Sequence, residues 1–280
     1  MTRLDAALVR AGLVRSRAQA KALLDQGRVL VDGAVVSKAA HAVTDDASLE
    51  LVGEVDPWVG RAAHKLLAAL EAFPEIVVAG RRALDVGAST GGFTQVLLTR
   101  GAASVCALDV GHGQLVAEVA DDPRVDERSG VNVRYVEPDE LGGPFQLLVS
   151  DLSFISLTLV LDRLRALTLP GADLVLLVKP QFEVGRDRLG RTGVVRSTEQ
   201  RVEAVVRVAA EAERMGLTVH GLARSPIAGG DGNVEVLLWC RHPSADPPPR
   251  PGLSVDAARV EPLVVDRAGG PPRPSKETLS

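Results

Sequence analysis

The sequence predicts an α/β protein: a doubly wound parallel sheet of seven strands, the last antiparallel, preceded by a small α+β domain. Three observations carry this. From about residue 61 to 242, short apolar runs alternate with helical patterns, as in a parallel sheet covered by helices on both faces. The run Ala83-Leu-Asp-Val-Gly-Ala-Ser-Thr-Gly-Gly-Phe93 passes from a buried strand through small residues into a helical pattern. Such a loop lets the backbone approach a ligand, with a helix N-terminus pointing free N–H groups at it. Residues 1–56 differ in texture, with two short helical stretches and a hairpin.

Taken in order, Leu4, Leu8 and Leu13 lie on a first short helix ending near Gly12. Ser16 is placed as the N-cap of a second, which carries Ala20, Leu23 and Leu24 and stops at Gly27. Arg28-Val-Leu-Val-Asp-Gly-Ala-Val-Val36 reads as two strands around an Asp-Gly turn, a strong hairpin signal. Asp56-Pro-Trp-Val-Gly60 supplies a linker over 57–60, with Trp58 as an aromatic anchor. A helix with Ala63, Leu66, Leu67 and Leu70 then leads into strands at 83–88, 104–110, 131–136, 146–152, 172–179, 219–225 and 234–240. Helices are expected at 92–100, 156–167 and 198–215. The strand from Val234 to Cys240 follows a Gly/Asp/Asn turn rather than a long helix, so it is expected to run antiparallel. Residues 243–280 hold nine of the 17 prolines and no periodicity, which predicts a disordered tail.

Composition narrows the classes. The apolar fraction of 46% supplies a core, and aromatics at 3% leave its packing to Leu, Val and Ala. A net charge of −4 argues against a uniformly basic nucleic-acid binder, so such affinity must come from a local patch. That patch is the start of the chain: residues 1–38 hold seven Lys/Arg against three Asp/Glu, whereas 39–56 hold none against five. Cys106 and Cys240 both lie in apolar runs, which excludes a disulfide framework and fits a reducing compartment. Neither a signal-peptide pattern nor an apolar run of about 18 residues is present, so a cytoplasmic protein without membrane or metal partners is expected.

The chemistry-bearing residues stand where strands end. Asp109 closes the second strand 24 residues after Asp85, a spacing that suits a carboxylate gripping ribose hydroxyls. The loop Gly87-Ala-Ser-Thr-Gly-Gly92 does not fit the dinucleotide fingerprint, which disfavours a pyrophosphate ligand and favours S-adenosyl-L-methionine. Asp85, Gly87, Ala88, Ser89, Thr90, Gly91, Gly92, Phe93, Asp109 and Asp151 form the expected cofactor set. Asp151 closes Leu147-Leu-Val-Ser-Asp151, and Lys179 closes Leu174-Val-Leu-Leu-Val-Lys179. Both should face the ligand crevice at the carboxyl ends of the strands. A lysine after five apolar residues costs free energy unless it is paired or functional. Glu235 opens the antiparallel strand and reaches the same edge.

These motifs carry a specific resemblance. The glycine loop, Ser150-Asp-Leu-Ser-Phe154, Val178-Lys-Pro-Gln-Phe-Glu183 and Gly232-Asn-Val-Glu235 resemble the TlyA (hemolysin A) family of rRNA 2′-O-methyltransferases, with a Rossmann-like, FtsJ-like catalytic domain over 61–242. Arg3-Leu-Asp, Gly12-Leu, Ser16-Arg17 and Gly27-Arg-Val-Leu-Val-Asp-Gly33 resemble the small α-L RNA-binding domain of pseudouridine synthases and of a small-subunit ribosomal protein. The resemblance implies a catalytic set of Lys65, Asp151, Lys179 and Glu235. A ribose hydroxyl needs a base, and a lysine with its pKa lowered by a neighbouring lysine and partial burial can serve. Lys179 is the expected base, Lys65 its neighbour, and Asp151 and Glu235 position the two. His64 is left out, since the set is complete without it. The family's glycines before the first lysine are replaced by Ala62-Ala63-His64. Ser129-Gly-Val-Asn-Val-Arg134 is assigned no cofactor contact.

The implied substrate is a cytidine of 16S or 23S rRNA, or both, within ribosomal subunits. Arg3, Arg15, Arg17, Lys21 and Arg28 form the expected RNA face, with Arg186-Asp-Arg-Leu-Gly-Arg-Thr-Gly193 as a basic loop near Lys179. The rival readings are a nicotinamide-dependent oxidoreductase, a membrane-active haemolysin and a non-catalytic RNA-binding protein. The first lacks its dinucleotide fingerprint and has only Tyr135 as a tyrosine acid. The second lacks a spanning segment, and the third leaves the Lys–Asp–Lys–Glu set without a use.

Overall fold

The computed structural model describes residues 1–185, 188–190, 192–229, 232–244 and 252–266, without the side chain of Ala18. It divides between Val59 and Gly60, inside the expected 57–60 linker. Trp58 is half-buried, and its backbone N–H donates to Asp56 Oδ1 at 3.0 Å.

The first unit contains β1 (Thr2–Arg3), α1 (Leu4–Arg10), α2 (Arg17–Asp25), β2 (Val29–Val31), β3 (Ala34–Val35), β4 (Ala42–Val43) and β5 (Leu49–Leu51). Ser16 caps α2, its side chain accepting from the Gln19 N–H. The hairpin turns at Asp32 (φ 50°) and Gly33 (φ 79°), both left-handed as a two-residue turn of this twist requires. β1 pairs with β4, and β2 lies between β3 and β5, all antiparallel. Leu4, Leu8, Leu24 and Val29 are fully buried at its centre.

The second unit contains α3 (Ala63–Ala72), β6 (Arg82–Val86), α4 (Gly92–Thr99), β7 (Ser104–Asp109), α5 (Ala117–Ala120), β8 (Val125–Ser129), β9 (Phe145–Ser150), α6 (Leu161–Ala166), β10 (Thr168–Val178), α7 (Pro180–Glu183), α8 (Thr198–Arg214), β11 (Thr218–Arg224), β12 (Val236–Arg241) and α9 (Ala257–Val264). The sheet has seven strands in the order β11-β12-β10-β9-β6-β7-β8. β12 runs antiparallel to both its neighbours, while β10, β9, β6, β7 and β8 are parallel. Leu147, Leu148 and Val149, and Leu174 to Val178, are buried because helices cover both faces. After β8 the chain returns to the other side of β6, so strand order reverses between β6 and β9. Ligands bind outside the carboxyl ends of strands at such a point.

Three expectations are corrected. The strand expected at 131–136 lies instead at 125–129, paired along one side only with β7. Residues 131–136 form a loop that buries Val133 and Val136 but leaves Tyr135 71% exposed. The helix expected over 156–167 is split into a 3-10 turn, Leu157–Leu159, and α6. The tail expected to be disordered over 243–280 includes a folded segment. Asp256 caps α9, and Val260 and Val264 are fully buried against the main core. The buried guanidinium of Arg201 donates to Val195 O at 2.7 Å and Val264 O at 2.8 Å, and pairs with Asp266 at 2.9 Å. Upstream, Leu253 N donates to Val219 O at 2.6 Å, along the open side of β11. A few apolar residues at helical spacing suffice to dock a proline-rich segment when the domain offers waiting donors.

Candidate active site

The glycine loop is shaped by what lies beneath it. Gly87 takes φ +87°, and a Cβ there would lie 3.0 Å from the Asp151 carbonyl oxygen, so β6 and β9 meet at a point that only glycine permits. Gly87 and Ala88 donate their N–H groups to Leu108 O, binding the loop to the end of β7. Ser89, at φ 47°, donates its N–H to Asp109 Oδ2 at 2.9 Å, and Gly111 donates to Asp109 Oδ1 at 2.8 Å. Each oxygen of Asp109 thus holds one backbone donor and keeps a lone pair for another.

A cleft of about 740 Å³ opens here, lined among others by Gly87, Ser89, Asp109, Asn132 and Asp151. The other expected cofactor residues stand behind it. Ala88 and Phe93 are buried, Gly91 caps α4 at φ +96°, and Gly92 lets the start of α3 come close, since a Cβ there would be 3.1 Å from Ala63 N. Thr90 is exposed at the turn into α4. Asp85 is fully buried and accepts from Thr94 Oγ1 at 2.7 Å. Burial pushes its carboxyl up to about 7. Asp85 therefore acts from beneath the loop, fastening the first turn of α4. Val131, Asn132, Val133 and Arg134, given no role on sequence grounds, line the cleft.

The four residues of the expected catalytic set meet, although they come from α3, the end of β9, the end of β10 and the approach to β12. Asp151 divides its carboxylate between two lysines, with Oδ2 3.1 Å from Lys65 Nζ and Oδ1 2.6 Å from Lys179 Nζ. Glu235 Oε2 lies 2.7 Å from Lys65. Lys65, Lys179 and Glu235 are all buried, and two cations balance two anions. A Cβ on Gly229 would land on the Glu235 carboxylate, so that glycine keeps the space open. The lysines differ in one respect. Lys179 also donates to Ser153 Oγ at 2.8 Å and lines a second cavity of about 500 Å³. Lys65 lines neither cavity.

The two cavities share Ser153, Phe154 and Phe182. Phe154 holds a left-handed backbone (φ 66°), is 91% exposed and stands with its ring centroid 5.3 Å from that of Phe182. A bulky residue at positive φ is strained, and such strain collects at ligand sites. Both stand in sequence motifs that give no sign of this role, because the exposure of Phe154 and its placement against the half-buried Phe182 arise only in three dimensions. Asn233 braces the second cavity, accepting from Val195 N and donating to Gly193 O, both at 3.0 Å. Of the expected basic loop, Arg186, Asp187 and Arg191 lie outside the described residues.

Residues 58–242 match the FtsJ-like methyltransferase family and residues 2–48 match the S4 domain. The 16S/23S rRNA (cytidine-2′-O)-methyltransferase TlyA of Mycobacterium tuberculosis is 51% identical over 240 residues, covering 85% of this chain and 89% of that protein. This chain belongs to the TlyA family of FtsJ-like methyltransferases. Another TlyA relative, called Hemolysin A in Brachyspira hyodysenteriae, is 35% identical over 84% of this chain and 98% of its own length. A solved Streptococcus thermophilus structure described as a candidate hemolysin superposes with a TM-score of 0.73 at 37% identity, covering 93% and 94% of the two chains. Among the described residues of this TlyA-family chain, no helix is long and apolar enough to cross a membrane.

Proposed function

We propose that this methyltransferase uses S-adenosyl-L-methionine to methylate the ribose 2′-hydroxyl of a cytidine in ribosomal RNA, 16S, 23S or both, with Lys179 as general base. One observation carries the reading. The buried lysine that lines the second cavity is tied to Asp151 and Ser153, which also line the glycine-loop cleft.

The cleft fits the cofactor. Asp109 offers lone pairs to ribose hydroxyls, Gly87 and Ser89 present backbone without bulk, and Val131 and Val133 give an apolar wall for an adenine. When bound, S-adenosyl-L-methionine supplies an electrophilic methyl group on sulfonium sulfur and leaves as the neutral thioether. Lys179, unprotonated at that moment, takes the 2′-hydroxyl proton on Nζ as the oxygen's electron pair forms the new C–O bond. Asp151 holds both lysines, and Lys65 is fixed in turn by the buried Glu235, so the base is oriented by a network of paired charges. Phe154 and Phe182 offer a face on which the acceptor base can stack. The S4 domain brings the RNA, in the cytoplasm where ribosomal subunits are found.

The test is mass-spectrometric mapping of 2′-O-methyl groups in rRNA from cells with and without the protein, with Lys179→Ala alongside. Loss of a cytidine 2′-O-methyl group in both strains, with cofactor binding to the purified variant intact, is expected. An unchanged rRNA map would overturn the reading.

A further inference from the structure

The five basic residues of the expected RNA face differ in what they already hold. Arg28 donates to Val52 O at 2.8 Å and Glu54 O at 2.5 Å, bracing β2 to the chain after β5. Arg15 donates to Asp56 O at 2.9 Å, and Lys21 pairs with Asp25 at 2.6 Å. Arg3 and Arg17 instead converge from β1 and α2 on one carboxylate. Asp5 is buried, with 7% side-chain exposure. Arg3 spans its two oxygens with Nε and Nη2, both at 3.1 Å. Arg17 places Nε and Nη2 on Oδ2 at 3.1 and 2.8 Å. The hydrogen bond from Arg3 and the charge of Arg17 hold the Asp5 carboxyl well below the usual carboxylate range, so it stays ionised. The two arginine side chains remain 52% and 59% exposed, and each keeps three of its five N–H donors for other partners.

We propose that Arg3, Asp5 and Arg17 form a clamp for an RNA phosphodiester, with Asp5 as the positioning residue that sets both guanidiniums before RNA arrives. The proposal rests on the RNA-modifying role given above. A free surface arginine gives up rotamer freedom when it grips a phosphate. Here folding has already imposed that order, so less is lost on binding. A planar fork matches two phosphate oxygens as an ammonium does not, and the triad keeps a net charge of +1. The sign of the effect separates this from simple electrostatics. By charge alone, removing an acid from an RNA face tightens binding. By positioning, it loosens binding.

The experiment measures binding of the full chain to unmodified ribosomal subunits across a salt series, with steady-state methylation on the same subunits. Asp5→Asn is expected to weaken binding roughly fivefold through lost preorganisation and to lower the salt slope by about 1. The KM for RNA rises while kcat holds. In an Arg3→Ala/Arg17→Ala background, Asp5→Asn adds nothing. Should Asp5→Asn fail to fold, Arg3→Lys with Arg17→Lys keeps every charge, leaves Asp5 paired and still loses affinity severalfold. Equal or tighter binding by a folded Asp5→Asn protein, or parental affinity in the lysine pair, overturns the clamp. If the parent binds no ribosomal subunit, the RNA-modifying role falls and the clamp with it.

Discussion

The ammonium of Lys65 and the carboxylate of Glu235 meet at 2.7 Å with both side chains buried, joining the helix before the sheet to the start of its antiparallel strand. Removing one member of a buried ion pair strands the other, at a cost of about 3–5 kcal/mol. Lys65→Met should therefore destabilise the protein strongly, and Lys65→Met/Glu235→Leu should regain part of the loss. Chemical denaturation of the three proteins measures this. A double variant less stable than Lys65→Met alone would show that the pair stabilises beyond its own charges.

Among the described residues Lys179 is held by the Asp151 carboxylate and the Ser153 hydroxyl, and it lines the second cavity. Lys179→Arg keeps the positive charge but cannot lose its proton in a protein. Methyl transfer should fall by about 10²–10⁴, the usual contribution of a general base, while calorimetric cofactor affinity stays within a few-fold. Retained turnover in this variant would remove Lys179 from the proton transfer.

Asp85 gives a pH prediction with a definite sign. Its carboxyl is pushed up to about 7 by burial, from 3.8. Between those values the folded state holds more protons than the unfolded one, so stability falls as pH rises. The cost is absent below about pH 4 and complete above about pH 7, with an upper bound of about 4 kcal/mol. Asp85→Asn keeps an acceptor for Thr94 and cannot ionise. Its melting temperature relative to the parent should therefore climb from pH 5 to pH 8, and a constant offset would refute the assignment.

Arg201 ties the segment after β12 to the rest of the domain through Val195 O, Val264 O and Asp266. Arg201→Ala leaves two buried carbonyls without their donor, costing about 2–4 kcal/mol. Calorimetry should show a fall in melting temperature of roughly 5–15 °C. Proteolysis should then cut first within 252–266, the segment whose anchor is lost.

Much of this was legible in local chemistry. Asp32-Gly33 can hardly be anything but a tight turn, Ser16 begins a helix, and the apolar runs ending in Asp151 and Lys179 mark strand ends at a ligand edge. The third strand was not legible. Val131-Asn-Val-Arg-Tyr-Val136 has the alternation of a strand but spends it lining a cleft, whereas Val125-Asp-Glu-Arg-Ser129 is charged and still pairs along one side of β7. Lys65 came from family resemblance alone, because a helical lysine among alanines and leucines looks like a solvated one. Phe154 was unreadable for another reason: positive φ at a phenylalanine is set by tertiary structure. The α9 helix was hidden by the prolines around it.

The two borders of the seven-stranded sheet are kept from self-pairing by different means. At β8 the border carries Asp126, Glu127 and Arg128, and charge makes it a poor template for another strand. At β11 the strand is Thr-Val-His-Gly-Leu-Ala-Arg, far less charged, and the passing chain at Leu253 takes the Val219 carbonyl instead. A protein cut after residue 244 would offer that strand uncovered to any neighbour. Its expected failure is precipitation that grows with concentration, reached while Lys65, Asp151, Lys179 and Glu235 are still in place.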